Sequence, residues 1–279
     1  MSVSQPLKWH GGKGAFNGKL AKWIISLMPP HVHYVEPYFG GGSVLLHKEP
    51  EGVSEVINDV HGKLTNFWKV LQDDFMFERF QRIVQATPFS ELEFWEASRG
   101  EHRELILDTM VAEAVRFFAI NRQSRQGLMK DFATLSKTRT RRGMNEQVSS
   151  WLTAVEGLPE VHDRLKRVVI LNSNAIDVIR REDTPVTCFY LDPPYLHETR
   201  TSSRDYEREM SKEDHELLLL ELGKLSGVFL LSGYRSEMYD DAAELYGWRR
   251  HDFEIVNNAS GKSRKDVKTE CIWTNSTGS

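Results

Sequence analysis

The sequence predicts an α/β protein: a mostly parallel sheet with helices on both faces, an antiparallel hairpin at one edge and a helical insertion. Short apolar runs of strand character alternate with helical segments, which is the pattern of a parallel sheet. A long helical stretch at 61–165 interrupts this alternation. Only a short loop joins the last two predicted strands, which favours an antiparallel hairpin.

The N-terminal part of the chain predicts one helix followed by a βαβ unit. Apolar residues recur at helical spacing over 18–28, and the prolines at 29–30 end that helix. The next elements are a strand at 32–37, a helix that starts at 43–48 and a strand at 55–59. Glycines stand at the first turn of this unit, where a strand leads into a helix.

After the helical stretch, strands and helices alternate again. The predicted elements are a strand at 167–171, a helix at 175–181, a strand at 186–192, a helix at 211–225, a strand at 227–232, a helix at 236–246, and closing strands at 250–256 and 268–274. We therefore predict a core domain formed by 1–60 and 166–279, with 61–165 as an inserted helical domain.

The composition is that of an ordinary globular protein: 40% of the residues are hydrophobic, 27% are charged, and the net charge is −4. The first residues lack the apolar core of a signal peptide, and no apolar run approaches the roughly 20 residues that span a bilayer. We therefore expect a cytoplasmic protein without a membrane partner. Cys188 and Cys271 do not form a CxxC pair, so we expect two buried thiols rather than a disulfide or a zinc site.

One segment of the chain, 116–142, is strongly basic. Its eight positively charged residues are opposed only by Asp131. Such a segment favours contact with nucleic-acid phosphates, and arginines can also read base edges. A solvated surface loop is the alternative. The candidate nucleic-acid contacts in this segment are Arg122, Arg125, Arg139 and Arg142.

The sequence EPYFGGGSV, at 36–44, joins the first predicted strand to a helix. Glycines at this turn let the backbone approach a ligand, which then lies beside a helix N-terminus. Asp59 ends the next strand, about 20 residues after Gly40, where a carboxylate can accept hydrogen bonds from ribose hydroxyls. A tight structural turn explains the glycines equally well by themselves. Together with Asp59, they favour a nucleoside-bearing cofactor.

A second glycine motif, LKWHGGK at 7–13, precedes all predicted strands. Its two glycines would bring Trp9 and Lys13 onto one small ligand, with an apolar face from the indole and a charge from the ammonium group. From the residues alone, a flexible turn whose tryptophan packs in the core is the favoured alternative.

The motif DPPY, at 192–195, follows a strand that is predicted to be buried. Prolines end the strand, because they lack a backbone donor. The Asp192 carboxylate and the Pro193 carbonyl then offer adjacent acceptors for the two hydrogens of a planar amino group, and Tyr195 offers a flat face for stacking. This combination suits the exocyclic amine of a nucleobase. A rigid turn, with Asp192 capping the next helix, is the structural alternative.

Together these motifs resemble those of the amino-group DNA methyltransferases that use S-adenosylmethionine, specifically the Dam-like adenine-N6 enzymes. KWHGGK, EPYFGGGS, a long insertion and DPPY follow in the order of that subclass, and LLSGY (230–234) and CIWTN (271–275) extend the resemblance over nearly the whole chain. It implies a Rossmann-like methyltransferase fold with an inserted DNA-recognition module. It also implies metal-free methyl transfer to the N6 amine of an adenine flipped out of double-stranded DNA.

The resemblance also assigns roles to particular residues. Asp192 and the Pro193 carbonyl would hold the adenine amine, Tyr195 would stack on the base, and Lys8 is a candidate DNA contact. The residues that would bind the cofactor are Trp9, Lys13, Glu36, Tyr38, Gly40, Gly42, Asp59 and Asp192. We expect a monomer or weak dimer in a bacterial or phage-infected cell, with a role in restriction–modification or phage biology.

The chain departs from the family pattern in two places. Asn174 and Ala175 stand where the family has an acid and an aromatic residue for the cofactor's adenine. The insertion lacks the asparagine, phenylalanine and proline of members that read GATC, so that specificity does not carry over. Cytosine N4 in DNA, adenine in RNA, a protein side-chain amide and a non-catalytic DNA-binding relative stay open as alternatives, although the aspartate at 192 favours adenine.

Overall fold

The computed structural model describes residues 3–9, 11–14, 18–100, 109–196, 210–256 and 267–276. Among these residues the helices are α1 (Lys19–Ser26), α2 (Ser43–His47), α3 (Gly62–Gln72), α4 (Asp74–Ala86), α5 (Glu91–Arg99), α6 (Thr109–Gln123), α7 (Glu146–Glu156), α8 (Leu158–Leu165), α9 (Ala175–Glu182), α10 (Lys212–Leu222) and α11 (Glu237–Tyr246). The strands are β1 (His33–Glu36), β2 (Ser54–Asn58), β3 (Thr140–Arg141), β4 (Met144–Asn145), β5 (Val168–Leu171), β6 (Thr187–Leu191), β7 (Val228–Gly233), β8 (Arg249–Val256) and β9 (Val267–Thr274).

The longer strands form one sheet with the order β5-β2-β1-β6-β7-β9-β8. β1 pairs in parallel with β2 and with β6, and β6 pairs in parallel with β7. β9 runs antiparallel to both β7 and β8, so the last two strands form a hairpin at that edge. The predicted fold class, a mostly parallel α/β sheet with an antiparallel edge hairpin, is confirmed.

The central parallel strands of the second unit end at one edge of the sheet. All five residues of β6 are buried, as expected for a strand that is covered on both faces. The register pairs Val35 of β1 with Phe189 of β6, and Phe189 with Phe229 of β7. Because the carboxyl ends of parallel strands meet at the same edge, the residues that follow β1, β6 and β7 emerge there together.

Backbone contacts divide the chain into two compact units. The first unit comprises Met1–Ala21, Gly40–Pro50 and Asp59–Asn172. The second unit comprises Lys22–Phe39, Glu51–Asn58 and Ser173–Ser279. The domain boundaries expected from the sequence stay a prediction.

Aromatic side chains form the core of the first unit. Phe67 of α3 stacks on Phe118 of α6 with ring centroids 5.9 Å apart, and Phe80 of α4 meets both rings edge-on. Trp151 of α7 packs against Phe118 and donates its indole N–H to the Thr87 carbonyl at 3.1 Å. These contacts join helices of the stretch that was predicted to be helical.

The core of the second unit includes the antiparallel edge of the sheet. Trp273 of β9 meets Tyr239 of α11 edge-on, with ring centroids 5.0 Å apart. Cys188 and Cys271 are buried free thiols, as predicted. In the described part of the chain, no helix combines the length and the apolar character needed to cross a membrane.

A short antiparallel pair, β3 with β4, lies within the insertion that was predicted to be helical. Thr140 pairs with Asn145, and Arg141 pairs with Met144. The turn between the two strands contains Arg142, whose φ is +54°. Sequence reasoning missed this pair because strands of two residues are too short to show an alternating pattern.

Candidate active site

The glycine turn at 40–42 is supported by the carboxylate of Asp59. Gly40, with a φ of +51°, donates its N–H to Asp59 Oδ2 at 2.9 Å, and His61 donates its N–H to Oδ1 at 2.8 Å. Gly42, with a φ of +72°, is the N-cap residue of α2. Glycine is favoured at both positions because other residues rarely adopt a positive φ. The predicted turn and the predicted acid are thus brought together, with the acid holding the turn.

Trp9 packs against the same turn. A side chain at Gly40 would place its Cβ 2.6 Å from Trp9 Nε1, and one at Gly41 would place its Cβ 2.6 Å from Trp9 Cβ. Packing within the protein therefore requires glycine here, whether or not a ligand also approaches. The indole N–H of Trp68 donates to the Gly40 carbonyl at 3.1 Å, a support for the turn that sequence reasoning missed.

Lys13 is buried, with 3% of its surface exposed, and its Nζ donates to the Gly11 carbonyl at 3.1 Å. A buried ammonium group requires polar partners, because loss of hydration is costly. The packing of Trp9 against the glycine turn agrees with the structural alternative expected for this motif, and a ligand contact by Trp9 or Lys13 stays a prediction.

In the second unit, an acid and a tyrosine lie around the end of β1. Glu36 is 1% exposed and accepts a hydrogen bond from the Tyr34 hydroxyl at 2.7 Å. Tyr38 is half-buried, and burial, followed by the charge of Asp214, raises the pKa of its hydroxyl. Tyr38 is therefore a neutral phenol at ordinary pH.

Asn58, at the end of β2, holds the edge of the sheet together and was not predicted. Its Nδ2 donates to the carbonyls of Pro37 at 2.9 Å and Ser173 at 3.0 Å. Its Oδ1 accepts the Ser173 N–H at 2.8 Å. The buried amide thus joins the segment after β1 to the segment before α9. The one signal in the sequence was a polar residue at the end of an apolar strand.

Asn174 caps a helix at the position where the resemblance expects a cofactor contact. Its side chain accepts the N–H of Ile176 at 2.8 Å, at the start of α9. Asparagine is among the preferred N-cap residues. Helix capping therefore accounts for Asn174 without a contact to a ligand.

The DPPY segment follows β6 directly. Pro193 is buried, whereas Asp192 and Tyr195 are half-buried. Burial raises the pKa values of Tyr190, Tyr195 and Tyr239, and the negative charge of Asp192 adds to each rise. Neutral phenols therefore lie near the Asp192 carboxylate.

Tyr239 lies near both a predicted cofactor residue and the predicted catalytic acid. After burial, Tyr38 and then Asp192 raise its pKa, so both groups are close enough to act on it. Its hydroxyl is 2.9 Å from Nδ1 of the fully buried His215. Sequence reasoning selected neither His215 nor Tyr239, because a single polar side chain within a helical pattern carries no motif signal.

The Tyr195 side chain has partners at its hydroxyl and at its ring. The hydroxyl donates to Oε1 of the buried Glu270 on β9. The ring meets Tyr234 edge-on, with centroids 4.9 Å apart and an interplanar angle of 75°. Glu270 carries no motif signal, since it was predicted only as part of a closing strand.

In the first unit, the basic segment lines a cavity of about 930 Å³. Three of the predicted DNA contacts, Lys8, Arg125 and Arg139, lie together in its lining. The other lining residues are Ser124, Gln126, Ala133, Thr134, Thr138, Thr140, Arg141, Glu146, Gln147 and Ser150. Arg125 also forms an exposed ion pair with Asp131 at 3.1 Å, and exposed pairs of this kind are weak.

Lys8 and Arg122 form a half-buried pair of cations beside this cavity. Lys8 Nζ donates to the carbonyls of Arg122 at 2.7 Å and Ser124 at 3.5 Å. Arg122 Nη2 donates to the carbonyl and the hydroxyl of Ser150 at 2.8 and 2.9 Å. Burial, followed by the charge of Arg122, lowers the pKa of Lys8 to about 8, and burial lowers the pKa of Arg122 to about 10. Positive charge held by neutral oxygens favours an anionic ligand.

Arg142 differs from the other selected arginines. Its guanidinium makes two hydrogen bonds of 2.9 Å to the Glu156 carboxylate, and it does not line the cavity. The bidentate pair occupies the side chain within the protein. A DNA contact by Arg142 stays a prediction.

No group of three or more metal-ligating side chains is close enough to hold a metal ion among the residues that the structure describes. Within the first unit, Trp9, Gly40 and Asp59 are brought together at the glycine turn. Within the second unit, Tyr38 and Asp192 both lie near Tyr239.

Within the second unit, a mostly parallel sheet with DPPY directly after a buried strand is the arrangement of α/β proteins that bind ligands at the carboxyl ends of their strands. The chain belongs to the D12 class N6 adenine-specific DNA methyltransferase family, whose model matches residues 9–246. Methyltransferases of this kind use S-adenosylmethionine, and DNA is the substrate of the family.

Comparisons with individual proteins add little to the family assignment. The crystal structure of a candidate RNA methyltransferase from Pyrococcus horikoshii is similar over 93% of this chain and 84% of that one, with 9% identity and a TM-score of 0.38. A likeness this distant carries no argument about function. No curated protein gave a significant match.

Proposed function

We propose that this chain transfers the methyl group of S-adenosylmethionine to the N6 amine of an adenine flipped out of double-stranded DNA, at a particular sequence site. The observation that carries the proposal is the position of DPPY, because Asp192 and Pro193 follow the fully buried β6 at the carboxyl edge of parallel strands. Family membership supports adenine N6 in DNA over cytosine N4, RNA or a protein amide.

The residues present fit a nucleoside-bearing methyl donor. A carboxylate has about four acceptor positions, so Asp59 can hold the turn and still accept from a ribose hydroxyl. Gln5 Nε2, beside Gly12 and Gly41, is a buried donor without a hydrogen-bond partner among the residues that the structure describes. When bound, S-adenosylmethionine supplies an electrophilic methyl group on a sulfonium. The residues that we propose to hold it are Trp9, Lys13, Glu36, Tyr38, Gly40, Gly42, Asp59 and Asp192.

Asp192 and Pro193 act on the nucleophile. The lone pair of the adenine amine is delocalised into the ring, so the amine attacks poorly. Acceptance of its two hydrogens by the Asp192 carboxylate and the Pro193 carbonyl draws the nitrogen toward tetrahedral geometry and frees the lone pair. The methylated nitrogen is cationic and acidic, so it can release a proton to solvent water after transfer, and the work of Asp192 is electrostatic and orienting rather than that of a strong base.

Tyr195 and the basic cavity act on the DNA. An adenine inside a duplex must leave the stack to be methylated, which costs a few kcal/mol. Stacking on Tyr195, worth roughly 1–3 kcal/mol per base, offsets part of this cost. Lys8, Arg125 and Arg139 contact phosphates or base edges, since they line one basic cavity. The Arg122 carbonyl accepts a hydrogen bond from Lys8 Nζ, and a DNA contact by the Arg122 guanidinium is part of the proposal.

Methyl transfer from labelled S-adenosylmethionine tests the proposal. We expect label in double-stranded DNA, and sequencing of random DNA after methylation should place it on N6 of adenines within one sequence context. Label on cytosine or on RNA would contradict the adenine assignment. Binding of both ligands without any transfer would identify a non-catalytic relative. Sedimentation of the same preparation would measure whether the chain is a monomer or a weak dimer.

A further inference from the structure

Glu270 is a buried acid outside the motifs of the proposed reaction. It is 3% exposed and precedes Cys271, which pairs with Gly233 at the end of β7. Glu270 therefore lies at the carboxyl end of β7, beside the end of β6 from which DPPY emerges. The edge hairpin brings this carboxylate to Tyr195, which is 75 residues away in the chain.

Two hydroxyl groups converge on one oxygen of this carboxylate. Glu270 Oε1 accepts hydrogen bonds from Ser232 Oγ at 2.9 Å and from the Tyr195 hydroxyl. The Tyr190 hydroxyl donates to Ser232 Oγ at 3.4 Å, which extends the network to β6. A buried carboxylate is costly unless it is hydrogen-bonded. These donors therefore stabilise Glu270, and Glu270 in turn holds their positions.

The network restrains Tyr195 at two places. Glu270 holds the hydroxyl, and Tyr234 packs edge-on against the ring with centroids 4.9 Å apart. Burial, then Asp192, then Glu270 raise the pKa of Tyr195, so the phenol keeps the proton that it donates. Loss of the hydrogen bond to Glu270 would remove one of these restraints on the side-chain torsions of Tyr195.

We propose that Glu270 is a positioning residue for methyl transfer: its carboxylate holds the Tyr195 hydroxyl, so that the ring is already oriented when the base arrives. The inference rests on the proposed stacking of the base on Tyr195. Reaction rates fall steeply when reacting groups are misplaced by about 1 Å. Loss of this hydrogen bond therefore lowers turnover more than it lowers DNA affinity.

A double-mutant cycle between Glu270→Gln and Tyr195→Phe tests the inference. The first change keeps the size of the side chain and removes its charge, and the second keeps the ring and removes the hydroxyl. We expect each single variant to lower kcat by about tenfold, with a smaller change in KM for DNA. The double variant should be no slower than Tyr195→Phe alone, because Glu270→Gln weakens, by removing the acceptor's charge, the same hydrogen bond that Tyr195→Phe removes. Glu254→Gln, at an exposed position on β8, is the matched control and should keep the wild-type kcat.

Several outcomes would overturn the inference. Multiplicative losses in the double variant would mean that Glu270 acts independently of Tyr195, and a wild-type kcat in Glu270→Gln would mean that it does not act at all. If Glu270→Gln fails to fold, the Tyr195→Phe variant tests the inference by itself. A wild-type kcat in Tyr195→Phe would rule out a role for the Tyr195 hydroxyl. A tenfold lower kcat at an unchanged unfolding temperature would support that role. Failure of the proposed function looks different, since the wild-type protein would then place no label on adenines of double-stranded DNA, whereas failure of the stacking role alone would leave Tyr195→Ala with the wild-type rate.

Discussion

The DPPY segment of the second unit and the basic cavity of the first unit hold their polar groups in opposite ways. Around DPPY, acids and hydroxyls bind each other, as Tyr195 does with Glu270 and Tyr34 with Glu36. Beside the cavity, Lys8 and Arg122 donate to neutral carbonyl and hydroxyl oxygens. The first arrangement pairs its groups within the protein. The second leaves positive charge for an anionic ligand to neutralise.

Burial favours the neutral form in both regions, with opposite consequences. It raises the pKa of Tyr195, so the phenol stays neutral and keeps its hydrogen bond. It lowers the pKa of Lys8 to about 8, so the loss of charge falls near physiological pH. A neutral Tyr195 can still donate its hydrogen bond to Glu270, whereas a neutral Lys8 attracts an anion less strongly. The comparison makes separate predictions for turnover and for DNA affinity.

The largest expected effect is on turnover, through Asp192→Ala. We expect kcat to fall by about 10²–10³-fold, because the variant loses an electrostatic contact to the reacting amine. Asp183→Ala is a matched control: Asp183 precedes β6 and accepts the N–H groups of Ser226 and Gly227, both at 2.9 Å. The control should lose stability and keep its kcat. Near-normal methylation by Asp192→Ala, with unchanged cofactor binding, would refute the catalytic assignment.

Substitution of Asp59 tests whether this acid of the first unit binds a ligand in addition to stabilising the glycine turn. Asp59→Ala should weaken S-adenosylmethionine binding by about tenfold or more, since it removes a proposed ribose acceptor and releases the Gly40 N–H. Calorimetric titration measures the effect. Asp73→Ala is the control, because Asp73 also accepts two backbone N–H groups, at the start of α4. An equal loss of affinity in both variants would indicate a general loss of folding.

Two arginines of the basic segment should differ in their contribution to DNA affinity. Arg139 lines the cavity, whereas Arg142 is paired with Glu156. We expect Arg139→Ala to weaken DNA binding by about tenfold and to reduce the slope of log affinity against log salt concentration by about one. Arg142→Ala should change DNA affinity by less than about twofold. Fluorescence anisotropy titrations at several salt concentrations measure both quantities. The reverse order would place the DNA contact at the β3–β4 turn.

The smallest effect is the pH dependence of DNA binding that comes from Lys8. An anion binds the charged form of Lys8, so DNA affinity has its full value below the Lys8 pKa of about 8. Above this pKa the affinity falls, because binding must be accompanied by the uptake of a proton. From pH 7 to 8.5 we expect DNA affinity to weaken by about threefold to fourfold at constant ionic strength. Lys8→Arg should remove this dependence, because arginine stays charged. The same pH profile in both proteins would exclude Lys8 as the titrating group.

Local patterns predicted the fold closely. The apolar runs place β1, β2, β6 and β7 within about a residue of their observed bounds, because a buried strand needs several consecutive apolar residues. The turn at 40–42 and the DPPY segment were also identified, since glycine and proline restrict or release the backbone locally. The β3–β4 pair was missed, because two residues carry no periodicity.

Contacts between distant parts of the chain were not predictable in this way. Nothing near Glu270 indicates Tyr195, and nothing near Arg142 indicates that Glu156 occupies its guanidinium. Trp9 packs where side chains at Gly40 and Gly41 would lie, whereas the sequence suggested only a tight turn or a ligand as the reason for these glycines. Such pairs depend on how the elements pack, which no local pattern records.

The sequence by itself determined the α/β order, the family and the motifs that carry the chemistry, because these depend on residue type and local spacing. Only the tertiary structure decided which charges are paired and which are left for a ligand. That decision depends on distances of a few ångströms between groups far apart in the chain, and on burial, which shifts the pKa of each group toward its neutral form.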